Sequence, residues 1–123
     1  MYRLAFVAAL SALPASAHAQ PARDAFMQRA EQIVGPEYVA LLAANCRVRP
    51  AEWYDRVAVI VERSYAANAR EAGVPEREAA DLRVLLDRRL RSAAVASDRT
   101  CPLLFADGTL EELDRIVALN RRR

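Results

Sequence analysis

Cys46–Gly73 reads CRVRPAEWYDRVAVIVERSYAANAREAG and holds one of two cysteines, the only tryptophan and the longest run that is apolar on more than one side. Pro50 lacks a backbone donor but suits a first helical turn, so a helix is predicted to start there. Gly73, without a Cβ, permits the left-handed residue that closes a helix, and Pro75 opens the next element. At about 3.6 residues per turn, Glu52, Arg56, Arg63 and Arg70 fall on one narrow face. Trp53, Val57, Ile60, Val61 and Ser64 fall opposite, with Tyr54, Ala58 and Tyr65 widening the apolar arc. An arc that broad needs partners on two sides, which predicts the central helix of a bundle. Burying one Val or Ile fully is worth roughly 1.5–3 kcal/mol, so this face is expected to dominate the core.

Working outward, Ala22–Val34 places Phe26, Ala30, Ile33 and Val34 on one helical face. Gly35-Pro36 interrupts that pattern, and Glu37–Asn45 reads as a short helix with Asn45 as its C-terminal cap. Two helices or one kinked helix both satisfy residues 22–45. Pro75–Ser97 carries the stripe Ala79, Leu82, Leu86, Leu90 and Ala93, supported by Leu85. Arg89 falls inside its apolar arc, where a long side chain turns its charge out to water. Ser97–Gly108 is a loop around Cys101-Pro102 with a turn of helix at Pro102–Phe105. Its Leu103, Leu104 and Phe105 are expected to form a lid over the start of the central helix. Thr109 and Glu112 have capping-box spacing, and the last helix runs to Asn120, with Leu110, Leu113, Ile116 and Val117 inward. Arg121–Arg123 complement its dipole.

Composition bounds the fold. The chain has 123 residues, 54% hydrophobic and 28% charged, which describes one globular domain and not a disordered chain. The expected architecture is all-α: a small bundle of four or five helices with one disulfide, preceded by a cleavable signal peptide.

Met1–Ala19 carries the leader pattern, with Arg3, an apolar core from Leu4 to Leu13, then small residues ending Ala17-His18-Ala19. Cleavage after Ala17 is an alternative to cleavage after Ala19. Residues 1–19 are therefore set apart from a single helical domain over 20–123. Roughly ten apolar residues are too few to span a hydrocarbon layer of about 30 Å, and no longer apolar run follows. The expected product is soluble and periplasmic or secreted, most simply in a bacterial periplasm, with no stable membrane insertion after cleavage. In an oxidising compartment Cys46 and Cys101, the whole cysteine inventory, have one internal connectivity. Loop-closure entropy gives such a bridge roughly 4 kcal/mol of stabilisation.

The chemistry missing from the sequence is as informative. His18 is the only histidine and lies in the leader, so no imidazole shuttle, histidine metal ligand or usual Ser-His or Cys-His pair is expected. The three glycines, 35, 73 and 108, build no phosphate cradle. Glu76, Glu78, Glu111, Glu112 and Asp114 lack calcium-loop spacing and read as helix N-terminal acids. No catalytic residue, cofactor or metal site is expected. Net charge is +2, all the basic residues are arginine, and acids interleave with them, which argues against a nucleic-acid partner.

In size, leader and cysteine use, the chain resembles in general layout the acid-activated periplasmic chaperones and the small secreted immunity proteins that neutralise toxins between bacteria. It shares no specific motif with either, and the immunity proteins usually have more cysteines. Two expectations follow: a non-catalytic extracytoplasmic protein of interaction, envelope-chaperone or inhibitor type, or a carrier of a small apolar ligand in the bundle interior. Trp53, Tyr54 and Phe105 are the candidate apolar contact or ligand residues, although aromatics in a buried helix are more often core.

Overall fold

The computed structural model describes residues 2–121, with side chains from Gln20 onward. The expected leader, Met1–Ala19, falls on residues whose side chains lie outside that description, as do Arg122 and Arg123. Four α-helices follow in order: α1, Tyr2–Asn45; α2, Ala51–Glu71; α3, Glu76–Ala93; and α4, Thr109–Arg121. A 3₁₀ turn, Cys101–Phe105, precedes α4. Among the described residues there is no strand, and no helix is long and apolar enough to cross a membrane.

The fold grows from the α1–α2 hairpin. Trp53, Val57, Val61, Tyr65 and Ala69 recur every four residues and are all buried in α2. They meet Phe26, Ala30, Val34, Ala40, Leu42 and Ala43, the matching stripe of α1. The Phe26 and Tyr65 rings, tilted by 57° with centroids 5.4 Å apart, sit where the two stripes cross. Helix α3 packs on α1 and α2, and α4 packs on both from elsewhere, without touching α3. Helix α2 thus packs on all three other α-helices, as expected of a central helix, and α1 does the same and also touches the 3₁₀ turn.

Between residues 22 and 45 the backbone is one continuous helix through Pro36. A proline inside a helix removes a hydrogen bond and crowds the carbonyl four residues back, at about 3 kcal/mol. Here that carbonyl belongs to Gln32 on the exposed side, and buried residues on both sides of the proline hold the axis together.

The helix ends differ from expectation in instructive ways. Asn45 does not cap α1: Arg47 takes the left-handed position, φ 61°. Its N–H donates to Ala44 O at 3.1 Å and Val48 N–H to Ala43 O at 3.0 Å, the paired bonds of a Schellman closure. Asn45 instead donates Nδ2 to Ala94 O, 2.6 Å, tying the end of α1 to the end of α3. Gly73, φ 70°, closes α2 by the same pair of bonds, Gly73 N to Arg70 O and Val74 N to Ala69 O, each 3.0 Å.

Helix α3 stops at Ala93, short of Ser97, because Ser97 and Thr100 bond to each other and Thr100 Oγ1 donates to Val95 O at 2.7 Å. Leu85 and Ala93, expected inward, are exposed, and Ala94 is buried in their place. Thr109 begins α4, with Gly108, φ 65°, ahead of it. Among the described residues no Thr109–Glu112 side-chain bond forms, so the first carbonyl partner is Gly108 O, reached by Glu112 N–H at 3.1 Å.

Candidate functional site

Cys46 follows the end of α1, and Cys101 opens the 3₁₀ turn. Their Cα atoms are 5.8 Å apart and their sulfurs are bonded at 2.05 Å, across a sequence separation of 55. The bridge fastens the turn to the α1–α2 connection. The turn itself packs on α1 and α4, so the lid does not lie over the start of α2 as expected. Only Leu104 is buried beneath it. Leu103 and Phe105 point out, 68% and 70% exposed, because a 3₁₀ turn places one residue in three on a given side. A shallow hollow of about 600 Å³ runs beside the bridge, lined by Asn45, Cys46, Arg47, Asp98, Cys101 and Phe105.

The three aromatic candidates are not brought together. Trp53 is buried between α2 and α4, under the Arg49 guanidinium, whose carbon is 5.8 Å from the ring centroid. Arg49 forks onto Asp114, Nε to Oδ1 at 3.1 Å and Nη2 to Oδ2 at 2.7 Å, and Nη1 reaches Val48 O at 2.8 Å. The fork raises the Arg49 pKa and holds the Asp114 carboxyl below the usual carboxylate range. The Trp53 indole N–H is near enough to help lower Asp114, but its geometry falls short of a hydrogen bond. Tyr54 turns the other way and donates its hydroxyl to Glu37 Oε1 at 3.3 Å. Phe105 is on the outer surface.

Tyr54 leads to a group of residues that sequence reasoning missed. Glu37 on α1 is 3% exposed, the one charged side chain among the described residues that is buried. It pairs with Arg83 of α3, which also donates Nε to Glu62 Oε2 of α2 at 3.0 Å. The Arg83 guanidinium lies over the Tyr65 ring, 5.7 Å from its centroid, so π density faces a cation whose Nη1 has no hydrogen-bond partner. Burial opposes the charge on Arg83, but its hydrogen bonds to Glu37 and Glu62 outweigh that and raise its pKa. Burial likewise pushes the Tyr54 and Tyr65 phenols up, the Glu37 charge adding to the effect at Tyr54 and Arg83 pulling against it at Tyr65.

The signal for this group lies in spacing: Arg83 stands four residues after Ala79 and three before Leu86, on the buried stripe of α3 itself. Both Glu37 oxygens are engaged, one by Arg83 and one by Tyr54, so the carboxylate is committed to holding three helices together. Among the described residues no group of three or more His, Cys, Asp or Glu is placed to hold a metal ion.

The exposed turn at the bridge therefore stands as the candidate site, with the ionic group as its structural counterpart. No protein-family model, curated protein or solved structure matches this chain.

Proposed function

We propose that the protein is a non-catalytic, extracytoplasmic interaction protein of chaperone or inhibitor type, which sets Leu103 and Phe105 against an apolar surface of a protein partner. The observation that carries this is the outward placement of two large apolar side chains on a turn that is fastened covalently and anchored by buried Leu104. A preorganised aromatic anchor loses little conformational freedom on binding, which is where many interfaces concentrate their energy. Exposed Arg47, Asp98, Arg99 and Asp107 surround the turn with both signs of charge. Such a rim suits the mixed polar border of a protein interface better than an anionic lipid surface. The leader-like residues 1–19 and the disulfide support a periplasmic or secreted setting. The carrier reading has less support, because Trp53, Tyr54 and Phe105 face three different neighbourhoods.

The test immobilises the oxidised protein, incubates it with extract of the compartment to which it is exported, and identifies what is retained. A specific partner should be held by the parent and by V84S/L85S, which removes exposed apolar residues from α3. Retention should fall by about tenfold or more for L103S/F105S, the loss expected for central apolar anchors. Equal retention by L103S/F105S, or a small apolar molecule copurifying in stoichiometric amount, would overturn the reading.

A further inference from the structure

A second surface, remote from the turn along α4, carries an imbalance of charge. Helices α2 and α4 run in the same direction: Arg49 pairs with Asp114 at one end, and further along Arg56, Ile60 and Arg63 line a groove with Val117, Asn120 and Arg121. The groove measures about 330 Å³ and has an apolar floor in Ile60 and Val117, with half-exposed Val59 beside them. Three arginines, 56, 63 and 121, stand around it against one carboxylate, Asp55.

None of the three makes an ion pair among the described residues, so the imbalance lies in their sharing one groove. Three other hollows are balanced. Arg70 and Arg83 face Glu62 and Glu76 between α2 and α3, Arg89 faces Glu31 between α1 and α3, and Arg47 faces Asp98 at the bridge. At the α1–α2 connection Arg47 stands with Arg49, but Arg49 is already forked to Asp114.

We infer that the α2–α4 groove docks an acidic peptide segment of a protein partner, with carboxylates on the arginines and an apolar side chain on Val59, Ile60 and Val117. Three guanidiniums sharing one groove repel one another, and each planar fork can bind a carboxylate through two parallel hydrogen bonds. A segment confined to the groove meets them selectively. A flat anionic bilayer would also meet Glu52, which is exposed on α2 and does not line the groove. The inference extends the interaction reading to a different face and does not depend on the turn.

The probe is a short fluorescein-labelled peptide of alternating glutamate and leucine, followed by anisotropy against the oxidised full chain. A peptide with glutamine in place of glutamate and vesicles of phosphatidylglycerol with phosphatidylcholine serve as comparisons. The parent should bind the acidic peptide, bind the glutamine peptide more weakly, and lose affinity as salt rises. R56Q/R63Q/R121Q should lose about tenfold in affinity, while R29Q/R77Q/R88Q, with the same change in net charge, should match the parent. L103S/F105S should also match it, so failure of the groove and failure of the turn register separately. Absence of peptide binding by the parent, equal loss in both arginine variants, or binding confined to the vesicles would each overturn the assignment.

Discussion

At the junction of α1, α2 and α3, two charges are inside: Glu37 is buried and Arg83 is largely so, each bonded to groups from neighbouring helices. At the disulfide edge the arrangement is reversed. Leu103 and Phe105 are outside, on a turn held by a covalent bond that their own burial does not supply. Burying ionic groups seldom adds net stability, and its best-attested use is to admit one packing and penalise the rest. Exposing two large apolar side chains on a fastened turn adds nothing to stability at all. The difference separates a region whose geometry serves the fold from one whose geometry the proposed interaction would explain.

The comparison is broken most severely by removing one charge from the buried pair. R83M leaves the buried Glu37 carboxyl without its main partner, at a cost of about 3–5 kcal/mol. E37L/R83M removes both charges and should recover most of that loss. Urea unfolding of the two singles and the double closes the cycle. A double variant as unstable as the singles added together would mean that the pair is not coupled, and the junction would lose its structural role.

How much of this was legible follows the same division. Helix α2, its Gly73 closure and the inward set Leu110, Leu113 and Val117 of α4 follow from periodicity and one residue without a Cβ, which act within a single element. The bridge follows from counting, since two cysteines pair in one way. Glu37 and Arg83 were missed because each looks solvent-bound on its own and becomes affordable inside only when the other arrives from 46 residues away. Arg47 was missed because its left-handed backbone runs against residue preference, and the neighbouring bridge and the Schellman bonds impose it. Pro36 gave a strong local signal for a break, and tertiary packing of the α1 stripe overrode it. At the site, apolar content was legible at Leu103, Leu104 and Phe105, but a lone turn offers no period from which to read which one points in.

Cutting the bridge tests the other half of the comparison. C46S/C101S should lose about 2–4 kcal/mol by urea unfolding, because the unfolded chain regains the freedom of a loop spanning 55 residues. Far-ultraviolet circular dichroism should still report a helical protein, since the α1–α2 core does not use the bond. Amide exchange should rise first at residues 101–106, where one buried leucine is left to hold the turn. Protection there equal to the parent's would mean that the bridge is dispensable for presenting Leu103 and Phe105.

The smallest effect sharpens the comparison at the buried side. Tyr65 underlies Arg83 and donates its hydroxyl to Ala79 O at 2.6 Å, so Y65F should cost about 1 kcal/mol near neutral pH. Burial raises the Tyr65 pKa above its usual 10.0, with Arg83 pulling against that and Glu62 adding to it. A phenol whose folded pKa is raised contributes its full stability below the unfolded value. That contribution is lost as pH rises through the folded one, because the unfolded chain releases its proton first. The gap between parent and Y65F should therefore be widest below about pH 9 and shrink above about pH 10, in urea titrations across that range. A gap that stays constant through the alkaline limb would place the Tyr65 hydroxyl in contact with water. The junction would then be as open as the disulfide edge, and the contrast between the two regions would fail.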